Sequence, residues 1–360
     1  MQNLTRLIKK INNFWIKSQS PTKKLTNIKR IDGFLIFFIC VIISIITSYE
    51  LVTKPIQNFH FIIPVTINFL EILICTGVLV YISKKEDPTI NSRQIFLLIG
   101  LLLITQILKV NFKTISPLSI IVPPTLIISQ GISKITALSW VSIALINWPN
   151  SENGMNEYLL LITFISSCIV AILGEKIRSR AQLLQVSIFV PIGAFIGQYL
   201  LLGINNNDLY NFNIQNLISK HGNIISDSFL LATLILLAII FMPILESIFG
   251  LVTKARLLEL ADQEKPLLRR LSIEAPGTYE HTLLLCGLAE EATRMIGGNV
   301  DLVRAGALYH DIGKLHAPNW FIENQNGKKN PHDELDNPLE SAKILQDHVD
   351  KGIQIAKRYR

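Results

Sequence analysis

A succession of long, uncharged apolar runs fills roughly the first 250 residues of this 360-residue chain, which excludes a wholly soluble fold. A bilayer core is crossed by about 20 apolar residues of helix. Eight runs approach or reach that length: Gly33–Leu51, His60–Ile82, Gln94–Val110, Ile115–Gly131, Ile135–Trp148, Tyr158–Leu173, Leu183–Leu202 and Phe229–Leu251. The fourth and fifth are short and lie either side of Ser133-Lys134. The fourth also carries Pro123-Pro124, so a re-entrant hairpin is the alternative there. Charged residues make up only 17% of the chain, and the deficit is confined to these runs. The expected fold class is all-α: a polytopic transmembrane helical bundle of about eight spans over residues 33–251, then a helical soluble domain.

Charge placement orients the bundle. Residues 1–32 open with Arg6, Lys9, Lys10, Lys17, Lys23, Lys24, Lys29 and Arg30, with no acidic residue before Asp32. Directly before an apolar span, such a stretch reads as a cytoplasmic anchor for anionic headgroups rather than a nucleic-acid arm. Its length and lack of a small-residue cleavage site argue against a removable signal. With eight spans, Lys84, Lys85, Arg93, Lys134, Lys176, Arg178 and Arg180 fall in inner loops, whereas Lys54, Lys113 and Lys220 fall outside with Glu152 and Glu157. Both termini are therefore expected in the cytoplasm. The longest outer loop, about Gly203–Ser226, shows no folded pattern, so no sizeable outer sensor is expected.

Glu71 and Glu246 lie within the spans away from their outer ends, and a carboxylate there is either a proton or ion site or a hydrogen-bond partner of a neighbouring helix. Cys40, Cys75, Cys168 and Cys286 form no CxxC pair and read as packing residues. The junction at residues 252–273 mixes leucines at helical spacing with charges of both signs. It is expected to continue the last span into the cytosol as far as Pro266 and to link membrane and tail.

The tail, residues 274–360, carries the chemistry. Helix signals place Thr278 as an N-cap with His281 in the first turn, a second helix from Val300 to Asp311 ending at Gly313, and a third after Asn337-Pro338 carrying His348. Successive helical side chains point about 100° apart. An adjacent His310-Asp311 pair on a helix therefore straddles metals better than it converges on one point. His281 and His348 would add imidazoles from neighbouring helices. Two divalent ions about 3.5–4 Å apart activate a water and neutralise a phosphoryl group. Lys314, one turn after Asp311, is placed to contact a phosphate oxygen. His60, His221 and His316 read as structural, and His332 as a loop hydrogen-bonder, with a ligand role the alternative.

These residues carry a resemblance. The text MPILESIFGLVTKARLLEL, PLLRRL, EAPGTYEHTLL, YHDIGK, FIENQ, NPHDEL and HVDKGI, from Met242 to about Ile355, resembles the HD superfamily of metal-dependent phosphohydrolases. More narrowly it is similar to the seven-transmembrane HD family of PgpH-type cyclic-di-AMP phosphodiesterases. The resemblance implies a divalent metal pair, manganese or iron, held by His281, His310, Asp311 and His348, with Asp311 and Lys314 in catalytic roles. It implies hydrolysis of cyclic-di-AMP to a linear dinucleotide. The partners are then the lipid bilayer and a cyclic dinucleotide, with no nucleic-acid polymer, and self-association is left open. The family carries a large domain after its first span, where this chain has only about Val52–Phe59. Its HD domain also continues with another histidine pair and a final aspartate, so the domain here is expected to be partial and its second metal site short of ligands. A binding or sensor protein without turnover is the alternative class, and a transporter the third. Ile-, Asn- and Lys-rich usage suits an AT-rich genome, hence a bacterial inner membrane or a plastid membrane.

Overall fold

The computed structural model describes residue 41 and residues 62–359, apart from 88–89, 113–114, 147, 149–156, 207–213, 326 and 328. The basic segment 1–32, the expected first span (Gly33–Leu51 but for residue 41), Cys40, His60, the side chain of His221 and residues 207–213 of the expected loop Gly203–Ser226 lie outside what is described, and the rest of that loop is helical. The described residues are helical, with no strand among them. They form two compact units: residues up to Glu175 with Val186–Leu251, and Lys176–Gln185 with everything from Val252 onward.

From residue 62 onward, the described residues of the first unit form the helices α1 (Ile62–Glu86), α2 (Ser92–Asn111), α3 (Pro117–Gly131), α4 (Lys134–Ile146), α5 (Glu157–Lys176), α6 (Arg180–Asn206, of which residues up to Gln185 belong to the second unit) and α7 (Ile214–Phe249). Four described stretches are long and apolar enough to cross a membrane: Ser92–Lys109, Tyr158–Lys176, Arg180–Leu200 and Asn223–Phe249. The helices α3 and α4, with 15 and 13 residues, are shorter than a bilayer core. The former is nevertheless almost wholly buried, packing on α4 and α7. Trp140 anchors this interior with Leu79, Leu98, Ile121 and Ile128, and its indole N–H donates to the Leu98 carbonyl at 3.0 Å.

Several hydroxyls inside the helices are satisfied locally, as lipid favours. The hydroxyls of Thr76, Ser83, Thr125 and Thr163 donate to carbonyls four residues back. Outward faces are apolar: Phe189 is 68% and Phe229 74% exposed, a surface suited to acyl chains and hazardous in water.

The second unit contains α8 (Lys254–Leu260), α9 (Pro266–Glu274), α10 (Pro276–Met295), α11 (Val300–Tyr309), four short 3₁₀ turns, α12 (Pro338–Gln346) and α13 (His348–Arg358). Prolines open α9, α10 and α12, where a missing N–H costs nothing. Asn299 caps α11 by accepting from the Leu302 N–H at 3.1 Å, and Thr253 caps α8 by accepting from Arg256 N–H at 3.1 Å. Two small cores hold the unit together: Leu268, Cys286 and Leu308, and Leu267, Leu271, Ala275, Ile312 and Leu315.

Three local expectations are corrected. The last span does not run on into the junction: α7 stops at Phe249, Gly250 takes a φ of 65°, and a separately capped α8 begins at Lys254. Only glycine enters that left-handed region without strain. Thr278 is not an N-cap but lies inside α10, which starts at Pro276. The third tail helix is two, broken at Asp347, so His348 opens α13.

Candidate metal centre

The elements that carry His281, His310, Asp311 and His348 converge. One donor atom each of His281, His310 and Asp311 lies within 4.8 Å of the others. Asp311 is the hinge of the group. Its Oδ2 stands 3.2 Å from His310 Nε2, and its Oδ1 3.7 Å from His348 Nε2. The carboxylate thus turns a different oxygen to each imidazole, as a bridging ligand does.

The ring orientations are fixed by backbone. His310 Nδ1 bonds the Ala307 carbonyl at 2.8 Å, and His348 Nδ1 bonds the Leu345 carbonyl. A carbonyl accepts only, so each Nδ1 carries a proton, and in the neutral ring Nε2 is left with its lone pair aimed at the cluster. Backbone carbonyls fix the tautomer of metal-binding histidines in this way. The donor set therefore fits a divalent cation of the kind that takes nitrogen and carboxylate ligands.

Local geometry explains how neighbours in sequence share one site. The helix α11 ends at Tyr309, and His310 and Asp311 form the turn leaving it. The 100° spacing of helical residues, expected to hold these two side chains apart, does not apply there. The turn then tightens into the 3₁₀ segment Ile312–His316, and α13 lies directly against it. Contact is so close at Gly313 that a Cβ would collide with the His348 carbonyl. Glycine at this position is what lets His348 reach Asp311.

Lys314 is held rather than free. Its ammonium bonds Asp311 Oδ2 at 2.8 Å and Glu323 Oε1 at 2.7 Å, and it lies 5.2 Å from the centre of the Phe321 ring. Burial opposes ionisation of Asp311, but hydrogen bonds from His310 and Lys314 outweigh it and hold the carboxyl well below the usual range. The same bond with Asp311 raises the His310 imidazole above its ordinary value.

Residues that the sequence reading left without a role complete the support. Glu323 accepts from the Thr278 hydroxyl at 2.9 Å, and Asn324 bonds both the Thr278 N–H at 3.1 Å and its hydroxyl at 2.9 Å. This network ties α10, which carries His281, to the turn that faces Lys314. Its one sequence signal was the run FIENQ, which has no helical or strand period. His332 is the loop hydrogen-bonder expected: Nε2 meets the Trp320 carbonyl at 2.9 Å and Nδ1 the Ser341 hydroxyl at 2.5 Å. His316 is likewise engaged by the Gly313 carbonyl at 2.7 Å.

Comparison with known proteins accords with this geometry. Residues 62–253 match the family model described as a 7TM receptor with intracellular HD hydrolase, and residues 278–360 match the HD domain. This chain belongs to that family of membrane-embedded HD proteins. It is an integral membrane protein with an HD domain after its apolar helices, and the HD domain implies divalent-metal binding. Among relatives, the cyclic-di-AMP phosphodiesterase PgpH of Bacillus subtilis is 30% identical over 323 residues, 86% of this chain and 44% of that protein. The PgpH of Listeria monocytogenes is 30% identical over 287 residues, 77% of this chain and 39% of that protein. An uncharacterised protein of Synechocystis is 53% identical over 117 residues, 32% of this chain and 14% of that protein. The chain thus spans less than half the length of the curated relatives it matches. No solved structure matches it.

Proposed function

We propose that this chain is a membrane-anchored, metal-dependent phosphodiesterase acting on a cyclic dinucleotide, cyclic-di-AMP, with about eight spans and both termini in the cytoplasm. The observation that carries the reading is the convergence of His281, His310 and His348 on the two oxygens of Asp311, with two of the imidazoles presenting Nε2. Likeness to two PgpH phosphodiesterases over most of the chain supports the substrate class.

In this reading the HD domain spans residues 274–360, and His281, His310, Asp311 and His348 hold divalent ions, manganese or iron. Bound there, such ions supply a more acidic water and neutralise charge on the phosphoryl group. The chain's own residues do the rest. Asp311, kept ionised by Lys314 and His310, orients the donor set. Lys314 has three N–H donors and commits two to carboxylates, so one is left for a phosphate oxygen. Glu323 and Thr278 keep that ammonium in place. Water attacks phosphorus and gives up a proton, the P–O bond to a ribose 3′ oxygen breaks as that oxygen takes one up, and a linear dinucleotide with a terminal 5′-phosphate and a free 3′-hydroxyl leaves.

Incubating the purified chain with cyclic-di-AMP and manganese tests this, with products separated by chromatography. Linear dinucleotide should form with wild-type protein and not with Asp311→Ala. Unchanged substrate under saturating metal would refute the proposal. A nucleotide sensor without turnover is the second reading, favoured by the grip of Lys314 on Asp311 Oδ2. Stoichiometric cyclic-di-AMP binding without product would select it.

A further inference from the structure

The connection between α5 and α6, residues 176–185, belongs to the same compact unit as the HD domain. Two of its arginines act on α11, the helix that delivers His310 and Asp311. Arg180 pairs with Glu259 on α8 through two nitrogens, Nε to Oε1 at 2.5 Å and Nη2 to Oε2 at 3.3 Å. A forked pair of this kind fixes direction as well as distance. The carbonyl of Leu260, the next residue and the last of α8, accepts a hydrogen bond from the Tyr309 hydroxyl at 2.9 Å. Tyr309 is the last residue of α11 and immediately precedes His310. At the other end of α11, Arg178 Nε stands 3.7 Å from Asp301 Oδ2, on a carboxylate that is only 6% exposed.

A ten-residue helix is thus tied at its first turn and at its last residue to one short connection. That connection is continuous with a membrane helix, because Arg180 is the first residue of α6. An isolated surface ion pair has little effect on stability and none on a distant site. This pair differs because it stands in series with the Tyr309 hydrogen bond, one peptide from a metal ligand.

We propose that Arg180, Glu259 and Tyr309 are positioning residues for the metal cluster, through which the α5–α6 connection sets where His310 and Asp311 stand. The inference rests on the metal-site reading above. It adds a route by which a change at the start of α6 alters metal affinity without touching a ligand.

The test is manganese titration of the full chain in detergent for wild type, Arg180→Gln, Glu259→Gln, the double variant, Arg180→Lys and Tyr309→Phe, with helix content followed by circular dichroism. Removing a partner that orients a metal ligand weakens metal binding roughly tenfold or more. Each Gln variant and Tyr309→Phe should therefore bind manganese about tenfold more weakly at unchanged helix content. Arg180→Lys should keep part of the affinity. Because the elements act in series, the double Gln variant should lose no more than either single. Wild-type affinity in all variants would overturn the positioning role, as would losses that add in the double variant or that track lost helix content. A wild-type chain that takes up no manganese is a different result and removes the metal-site reading itself.

Discussion

Replacing Gly313 by Ala tests how the cluster is assembled. A Cβ there would lie 1.7 Å from the carbonyl oxygen of His348 and 2.7 Å from the Gly352 nitrogen. Both are backbone atoms of α13, so no side chain can rotate away. Reaching ordinary contact at 3.4 Å requires α13 to retreat by about 1.7 Å, an overpacking cost of roughly 3 kcal/mol or more. His348 Nε2 already stands 3.7 Å from Asp311 Oδ1, and it retreats with the helix. Manganese affinity should therefore fall by about tenfold or more, the usual penalty for a misplaced ligand shell. The control is Gly352→Ala, whose Cβ meets Gly313 at 3.3 Å and 3.4 Å, so a few tenths of an ångström suffice and the loss should be smaller. The assay is manganese titration beside hydrogen exchange of α13. Gly313→Ala with wild-type affinity and wild-type protection of α13 would refute the reasoning.

Glu323→Ala should destabilise the HD domain by roughly 2 kcal/mol, because a charged hydrogen bond to Lys314 and the bond from Thr278 are both lost; chemical denaturation measures it. Trp140→Phe removes the pyrrole ring at a fully buried site together with the indole donor to the Leu98 carbonyl, and should lower the stability of the detergent-solubilised chain by roughly 2 kcal/mol, read as a lower thermal midpoint. A pH dependence follows from Glu259, whose carboxyl is lowered below its ordinary value by the Arg180 hydrogen bond. A depressed folded pKa means the pair contributes fully above the unfolded value of about 4.5 and is lost as pH falls through the folded one. Exchange protection of residues 176–185 should accordingly hold from neutral pH to about 5 and decline below 4, after correction for intrinsic rates. Protection unchanged down to pH 3 would contradict this.

How much of this was legible in the sequence depends on the length scale of the signal. Apolar runs such as Tyr158–Leu173 announce a helix because lipid leaves the backbone no other partner. The ligands His281, His310, Asp311 and His348 were visible as residue types, and their motif fixed their grouping. What sequence hides is contact between segments that share no period. Glu323 and Asn324 lie in 3₁₀ turns, and only folding brings them to Thr278, 45 and 46 positions away. The break at Gly250 is hidden because leucines at helical spacing on both sides outweigh one glycine. The His310–Asp311 geometry is hidden for a related reason: the sequence signals extend the helix two residues too far, and helical angles do not govern a turn. Arg180 and Arg178 read as loop charge, which is all that topology rules ask of them. Their pairing with Glu259 and Asp301 needs the fold.

Electron paramagnetic resonance of Mn(II) titrated into the purified chain tests the account most directly. Wild-type protein should convert the free-ion signal to a bound one until sites saturate, and Asp311→Asn, which removes the charge shared by three imidazoles, should leave the ion free. A free-ion signal throughout, or equal binding by both proteins, would contradict it.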